Sequence, residues 1–280
     1  MNAVGIIGLG LIGGSMAKAA EAAGYKVYGS DASADVVESA LKDGVLSGRL
    51  EDHYGDIGML MVALYPLDVV DIILETAPKL PAGCIVVDCT GVKKMICSAL
   101  SERLSVMGLR FIGGHPMAGK EVSGYENACA DLFVGASMIL CTDEFTDSAA
   151  VDEACGIFPK LGFSQVKITT ADEHDRVIAF TSQLAHVVSS AYIKSPTLDV
   201  RYGFSAGSFK DMTRVALLNE NMWADLFLAN RDDILREIRQ ISEHLKEFDD
   251  AIEERNRDAL VKLLADGRVR KERDNAAEGI

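Results

Sequence analysis

The side chain best suited to proton transfer is a histidine that directly follows an apolar run. His115 stands in Gly113-Gly114-His115-Pro116. A histidine with an ordinary pKa near 6.5 exchanges a proton close to neutral pH. Flanking glycine and proline are typical of a turn, and a turn at a strand end can present a side chain to a ligand. His115 is therefore a candidate general base, although a structural histidine in a turn fits the same pattern.

A second set of polar residues has helical spacing. Gln183 and His186 are three positions apart, and Lys210 and Arg214 are four apart, so each pair is expected to share a helix face. Two cations at this spacing suit a substrate carboxylate, and they equally suit a solvated helix face. His174 lies near the start of the helix predicted to carry Gln183, where a capping or structural role is the simpler interpretation.

A glycine-rich segment near the N-terminus is suited to the phosphates of a dinucleotide. The motif Gly8-x-Gly10-x-x-Gly13 follows an apolar run and precedes a helix-forming segment. Its first glycine permits a tight turn, the second lets the backbone approach the pyrophosphate, and the third allows helix and strand to pack closely. The helix start, with Leu11 and Ile12, then offers free N–H groups to the anion.

An acidic residue follows at the position expected for ribose binding. Asp31 ends the next apolar run. A carboxylate about 20 positions after the glycine motif accepts hydrogen bonds from ribose hydroxyls and repels a 2′-phosphate. Because no arginine follows Asp31 immediately, the sequence favours NAD over NADP. A glycine-rich turn in an unrelated α/β protein is the alternative.

Apolar runs and helical patterns alternate over the first part of the chain. The predicted strands are Ala3–Ile7, Lys26–Ser30, Met59–Leu64, Cys84–Asp88, Leu109–Gly113, Ser137–Cys141 and Gln165–Ile168. The predicted helices between them are Gly13–Ala23, Ala34–Lys42, Leu67–Ala77, Lys93–Ser105 and Ser148–Lys160. This alternation predicts an α/β fold with a mainly parallel sheet, which binds ligands beyond the C-terminal ends of its strands.

Long helical patterns replace the strands after about Thr169. They cover Asp172–Lys194, Gly207–Asn219, Trp223–Ile252 and Asn256–Leu264. We therefore expect a Rossmann-type dinucleotide-binding domain at residues 1–168 and an all-helical domain at residues 169–280. Apolar residues at steps of three and four from Ile234 to Ile252 form a stripe that needs a partner, either the other domain or a second copy of the chain. The charged tail Arg268–Ile280 is expected to fray.

Composition narrows the class of protein. The formal net charge of −14 argues against nucleic-acid binding, which needs a basic face. The six cysteines form no CxxC pair and have no metal-ligand spacing, so we expect no metal site and a reduced, cytoplasmic setting. We expect no signal peptide, because Met1 leads directly into the first strand and the glycine loop without a basic region or cleavage site. We also expect no transmembrane span, because no apolar run reaches the roughly 20 residues that cross a bilayer. The expected partner is a small-molecule substrate.

Together the motifs resemble those of prephenate dehydrogenases, a family that also contains arogenate dehydrogenases. The matching segments, in chain order, are Gly8–Ser15, His115–Gly124, Ser182–His186, Phe209–Arg214 and Met222–Phe227. They span nearly the whole chain, and the His-Pro-x-Ala-Gly and Lys-Asp-x-Thr-Arg blocks are far more specific than the glycine loop. The resemblance implies an NAD(P)-binding domain, a helical domain that forms a homodimer, and an active site between the two domains.

The reaction implied by this resemblance is an NAD-dependent oxidative decarboxylation in tyrosine biosynthesis. Prephenate gives 4-hydroxyphenylpyruvate, and in the alternative reaction arogenate gives tyrosine directly. His115 matches the catalytic histidine, which takes the proton of the ring C4 hydroxyl as hydride passes to the nicotinamide. His186 matches a second active-site histidine. Arg214 matches the arginine that holds a substrate carboxylate, and Glu121 matches an acidic residue near the site entrance.

The chain departs from the family pattern at a few positions. Many members have Gln-Gly-Ser-Val-Lys after the fourth strand, whereas Cys89–Lys93 reads Cys-Thr-Gly-Val-Lys, with glycine in place of the serine that contacts substrate and histidine. Either Thr90, next to that glycine, supplies the missing hydroxyl, or the contact is absent from this chain. Gln183 stands where many relatives carry another histidine, and Ala185 where many carry proline. These departures bear on the choice between prephenate and arogenate rather than on the reaction type.

Two other classes of protein remain as alternatives. A β-hydroxyacid dehydrogenase has the same layout but uses a lysine on the first interdomain helix. That helix here carries Gln183 and His186, with Lys194 only at its far end. A nucleotide-binding sensor that has lost catalysis is the other alternative, and the pairing of His115 with Arg214 argues against it.

Overall fold

An eight-stranded sheet occupies the first part of the computed structural model, which describes residues 1–120 and 122–278. Its strands are β1 Ala3–Ile7, β2 Lys26–Ser30, β3 Gly48–Arg49, β4 Met59–Val62, β5 Ile85–Asp88, β6 Arg110–Pro116, β7 Ser137–Cys141 and β8 Gln165–Thr169. They lie in the order β3-β2-β1-β4-β5-β6-β7-β8. All neighbouring strands are parallel except β6 and β7. The α/β fold predicted from the sequence is confirmed.

Helices cover both faces of this sheet. They are α1 Leu11–Ala22, α2 Ala34–Lys42, α3 Pro66–Thr76, α4 Lys94–Val106 and α5 Ser148–Ile157. In β1, Val4 and Ile6 belong to one hydrophobic cluster, whereas Ala3 and Ile7 belong to another. Because successive strand residues point to opposite faces, the two clusters are the two cores of the sheet. Burial on both faces explains why these strands are continuous apolar runs.

Further helices follow the sheet. They are α6 Ala171–Ile178, α7 Leu184–Tyr192, α8 Gly207–Thr213, α9 Glu220–Ala229, α10 Arg231–Glu253 and α11 Arg257–Glu278, with a π-helical turn at Ala179–Gln183. The chain divides into two compact units, Met1–Arg231 and Asp232–Ile280. The domain boundary predicted at residue 168 lies inside the first unit, at the end of the sheet, and stays a prediction. None of the described helices is both long and apolar enough to cross a membrane.

The predicted helix boundaries after the sheet were partly wrong. The helix predicted to reach Asn219 ends at Thr213, and Asn219 instead caps α9, because its Oδ1 accepts a hydrogen bond of 3.0 Å from the Met222 N–H. The long helix predicted from Trp223 is two helices that part at Asn230.

The tail that was predicted to fray is helical as far as it is described. Helix α11 continues to Glu278, so the prediction was wrong for residues 268–278. Ion pairs three or four residues apart, such as Arg270–Asp266 at 2.8 Å and Lys271–Asp274 at 2.6 Å, lie along this helix. Such pairs each stabilise an exposed helix by about 0.2–0.5 kcal/mol. The prediction of fraying relied on the charge of this segment and did not consider that its charges pair along a helix.

Candidate active site

The candidate base lies at the C-terminal end of β6. Gly114 precedes it, and a Cβ on this glycine would lie 2.5 Å from the backbone oxygen of Asp88. Glycine thus lets β5 and β6 approach closely beside His115. The partly buried His115 ring lies where parallel strands of α/β sheets present their ligand-binding residues.

A hydrogen-bonded chain of three side chains begins at this histidine. Nδ1 of His115 lies 2.8 Å from Nε2 of His174, and Nδ1 of His174 lies 2.7 Å from Oδ1 of Asp175. Asp175 also accepts the backbone N–H groups of Lys93 at 2.7 Å and Lys94 at 2.9 Å, at the start of α4. His174 and Asp175 are 2% and 1% exposed, respectively. The carboxylate of Asp175 on α6 therefore bonds both to the start of α4 and to the histidine pair.

His174 is a site residue that the sequence-based interpretation assigned to a cap or a structural role. The cap of α6 is Thr170, whose Oγ1 accepts the Glu173 N–H at 3.2 Å. The side chain of His174 instead contacts His115, which is 59 positions away in the sequence. The signal that could have revealed it is the adjacent pair His174-Asp175, in a chain with only five histidines.

Burial keeps both histidines neutral at pH 7. It lowers the pKa of His115 well below the ordinary value, and the positive charges of protonated His174 and of Lys93 act in the same direction. Burial also lowers the pKa of His174, although the hydrogen bond to Asp175 opposes that change. His115 is therefore a base whose ionisation lies below the value near 6.5 expected from the sequence.

A buried ion pair fixes the loop between β5 and α4. Nζ of Lys93 bonds to Oδ1 of Asp88, and both side chains are fully buried. Thr90 joins this pair, because its Oγ1 lies 2.7 Å from Oδ1 of Asp88 and 3.0 Å from Nζ of Lys93. The N–H of Gly114 approaches the other oxygen of Asp88 at 3.3 Å. Thr90 is 3% exposed, so its engaged hydroxyl is not placed to contact a substrate, in contrast to the expectation from the sequence.

Gly91 faces the second nitrogen of the candidate base. A Cβ built on Gly91 lies 3.9 Å from Nε2 of His115 and 3.2 Å from Cδ2 of Leu226. This is the position at which the resemblance described in the sequence analysis implies a serine. A hydroxyl that reaches Nε2 would therefore come from residue 91 rather than from Thr90.

A second group of side chains surrounds His186 on α7. Its Nδ1 lies 2.9 Å from the backbone oxygen of Val215, and its ring centroid lies 3.6 Å from that of Trp223. Since a carbonyl only accepts hydrogen bonds, neutral His186 carries its proton on Nδ1. Trp223 and Leu226 are three positions apart on α9, so this helix contacts both His186 and Gly91.

The other predicted substrate ligands occupy different settings. Gln183 is 1% exposed. Its side-chain amide contacts the Leu226 backbone oxygen at 3.4 Å and the Asn230 side chain at 2.9 Å, so it binds α9 and the residue that follows it rather than a ligand. Lys210 and Arg214 are both exposed. Because α8 ends at Thr213, these two cations do not share one regular α-helix. Glu121 lies outside the described residues.

The glycine loop has the backbone geometry that a dinucleotide requires. Gly8 has φ +84°, a left-handed value that favours glycine, and a Cβ on Gly13 would lie 1.7 Å from the backbone oxygen of Gly8. No atom lies within 4 Å of a Cβ built on Gly10. Helix α1 begins at Leu11 without a side-chain cap, so its first N–H groups, which include that of Ile12, have no intrahelical acceptor. Open space and N–H donors thus coincide, as pyrophosphate binding needs.

Asp31 is already bonded to this loop. Its Oδ2 accepts the Leu9 N–H at 2.7 Å, and its Oδ1 accepts the Ser33 N–H at 2.9 Å. A carboxylate has about four acceptor positions, so ribose hydroxyls can bind in addition. These residues fit a dinucleotide. Over the parts of the chain that the structure describes, no three His, Cys, Asp or Glu side chains come together as a metal site would need.

Two family models match consecutive parts of the chain. The model described as prephenate dehydrogenase, nucleotide-binding domain, matches residues 16–167. The model described as prephenate dehydrogenase, dimerization domain, matches residues 170–266. Together they extend over most of the sequence.

Individual proteins are similar over nearly the full length. A cyclohexadienyl dehydrogenase of Zymomonas mobilis is 30% identical over 278 residues, which cover 92% of this chain and 91% of that protein. The crystal structure of prephenate dehydrogenase from Aquifex aeolicus matches with a TM-score of 0.86 at 27% identity, over 98% of this chain and 100% of that chain. Its complex with hydroxyphenyl propionate and NAD+ matches with a TM-score of 0.83 at 28% identity, over 98% of each chain.

Proposed function

Because the chain belongs to the prephenate dehydrogenase family, we propose that it oxidises and decarboxylates prephenate to 4-hydroxyphenylpyruvate with NAD+. The oxidoreductase class follows from the family, and the choice of prephenate and of NAD+ is the proposal. The observation that carries it is the neutral, partly buried His115 at the C-terminal end of β6, with Nε2 directed toward the residue 91 position. The Aquifex aeolicus enzyme, crystallised with NAD+, supports the choice of cofactor.

His115 supplies the base that this reaction needs. Hydride leaves ring C4 only as the C4 hydroxyl becomes a carbonyl, so a base must take the hydroxyl proton as charge develops. Nε2 of neutral His115 accepts that proton, and loss of the ring carboxylate as CO2 then gives the aromatic ring. When bound, NAD+ supplies the hydride acceptor.

The remaining site residues have binding roles in this proposal. The first N–H groups of α1 bind the cofactor phosphates, and Asp31 binds the ribose. Arg214 holds a substrate carboxylate with Lys210 nearby in sequence, because an arginine–carboxylate pair is short and often bidentate. His186, held by Val215 and Trp223, is the second active-site histidine.

We also propose a homodimer formed through the helices after residue 168. The match to a dimerization domain supports it. Large apolar side chains are exposed on these helices and their connections, among them Phe180, Tyr202, Phe204, Leu217 and Leu228. Exposed apolar side chains in such number mark an interaction surface. Light scattering at micromolar concentration should give twice the chain mass of 30.1 kDa, and a stable monomer would refute the proposal.

The activity is tested by following NAD+ reduction in the near ultraviolet. Purified protein is assayed with prephenate, arogenate and a 3-hydroxyacid, each with NAD+ and with NADP+. We expect the highest kcat/KM with prephenate and NAD+, and 4-hydroxyphenylpyruvate as the product. A higher kcat/KM with arogenate would reassign the substrate within the family. Turnover of only the 3-hydroxyacid, or of none of the three, would refute the proposal.

A further inference from the structure

The chain from Asp175 to His115 determines which nitrogen of each ring carries a proton. A carboxylate accepts hydrogen bonds and donates none, so Nδ1 of His174, 2.7 Å from Oδ1 of Asp175, must be the donor. Nε2 of neutral His174 then has a lone pair. Since it lies 2.8 Å from Nδ1 of His115, that nitrogen must donate in turn. His115 is thereby left with an unprotonated Nε2.

We propose that His174 and Asp175 are positioning residues that hold His115 in the tautomer with its proton on Nδ1, so that Nε2 stands ready to accept a proton from the substrate hydroxyl. This inference rests on the proposed function, in which His115 is the base. It gives a role in the reaction to a histidine that does not itself touch the substrate.

The burial of His174 supports a role beyond holding the fold. Asp175 joins α6 to α4 through the backbone N–H groups of Lys93 and Lys94, and Asp172 adds an ion pair with Lys94 at 3.3 Å. His174 is not needed for that link, and burying a polar ring costs free energy unless both nitrogens are bonded. Both are bonded here, one to Asp175 and the other to His115. The side chain of His174 therefore serves to hydrogen-bond the ring of His115.

The same chain accommodates the charge that forms during the reaction. As the O–H bond of the substrate breaks and an N–H bond forms at Nε2, His115 becomes an imidazolium ion. Its Nδ1–H continues to donate to neutral His174, while Asp175 provides a negative charge at the far end. Lys93 and Asp88 also act on His174 from the loop between β5 and α4, with opposite signs.

Nuclear magnetic resonance measures the tautomer directly and without substrate. In the 15N-labelled protein near pH 7.5, long-range 1H–15N correlations distinguish a protonated Nδ1 from a protonated Nε2. The chain has five histidines, His53, His115, His174, His186 and His244, and the His115 signals are assigned by their loss in His115→Asn. We expect His115 to be protonated at Nδ1. Protonation mainly at Nε2 would overturn the inference.

Two substitutions of His174 separate positioning from folding. His174→Gln offers an amide oxygen near the place of Nε2, so it should keep the Nδ1–H tautomer of His115 and kcat within about threefold of wild type. His174→Leu removes the acceptor, so the tautomer should shift toward Nε2–H and kcat should fall at least about tenfold, with KM and NAD+ affinity little changed. Thermal unfolding of both variants controls for folding.

The outcomes separate this inference from the proposed function. Equal kcat values in the two variants, with both folded, would refute positioning. Absence of turnover in the wild type would refute the proposed function, whereas an Nδ1–H tautomer that is lost only in His174→Leu would still support the positioning of His115.

Discussion

Replacing Gly91 with serine should add a hydroxyl group beside the reactive nitrogen of His115. A Cβ at this position lies 3.9 Å from Nε2, and Oγ lies one covalent bond farther out. In the rotamer that points toward the ring, the distance from Oγ to Nε2 therefore falls at about 2.5–3.2 Å, which is the range of a hydrogen bond. Gly91 does not have a positive φ, so serine fits its backbone. The variant introduces the serine that the family resemblance implies at this position.

The magnitude follows from one added hydrogen bond and one tight contact. A substrate oxygen bonded to Nε2 lies close to the same hydroxyl, which both donates and accepts. A neutral hydrogen bond contributes about 0.5–1.5 kcal/mol net, or about 2- to 12-fold in kcat/KM. The same Cβ meets Cδ2 of Leu226 at 3.2 Å, so the leucine must shift by a few tenths of an ångström. That cost is shared by alanine, which makes Gly91→Ala the matched control.

The assay compares kcat/KM for the substrate at saturating NAD+ in both variants. We expect Gly91→Ser to exceed Gly91→Ala by about 2- to 12-fold, whatever each loses relative to wild type through the contact with Leu226. Equal values would show that the hydroxyl does not reach the reacting groups. A lower value for serine would show that it occupies Nε2 and competes with the substrate. Equal values would refute the geometry inferred for His115, whereas a lower value for serine would refute only the expected gain in kcat/KM.

Three further substitutions test the assigned roles. His115→Asn should lower kcat at least about a hundred-fold with KM little changed, because asparagine accepts no proton. As the pH is lowered, kcat of the wild type should decrease only well below pH 6.5, because burial lowers the pKa of His115 and only the neutral ring is a base. The His115→Asn variant should not show this decrease. Arg214→Ala should raise KM tenfold or more, about 1.4–3 kcal/mol, and an equal loss of NAD+ affinity would contradict a substrate role. Asp31→Ser should narrow or reverse the kcat/KM preference for NAD+ over NADP+, and a wild type that prefers NADP+ would contradict the assignment.

The sheet could be predicted because its strands carry their own signal. Each predicted strand falls on an observed one, since strands buried on both faces are continuous apolar runs. Strand β3 was missed because Gly48–Arg49 is two residues long and has no apolar pattern. The antiparallel direction of β7 was missed because it depends on the connection from β6. In the described part of that connection, which lacks residue 121, the one helical element is a short 3-10 turn at Tyr125–Asn127, whereas a parallel strand needs a longer crossover, usually a helix.

The site could be predicted only where a residue's own surroundings indicate its use. His115 stands out because glycine and proline flank it at a strand end. The contact of His174 with His115 depends on how α6 packs beside β6, and no local pattern encodes that packing. From the sequence, Thr90 was expected to offer its hydroxyl to a ligand. Its burial and its bonds to Asp88 and Lys93 depend on the folded structure, so the sequence could not reveal them.

Two carboxylates hold the loop that carries Gly91, and this explains how the chain tolerates glycine there. Asp88 binds the loop through Thr90 and the buried Lys93, while Asp175 accepts the backbone N–H of Lys93. Removing one partner of a buried ion pair typically costs about 3–5 kcal/mol, because the other charge is left buried and uncompensated, so Asp88 and Lys93 stay paired. None of them involves a side chain at residue 91. The conformation of the loop therefore does not depend on a side chain at residue 91, so the difference between Gly91→Ser and Gly91→Ala, which share the contact with Leu226, reports on the chemistry at His115.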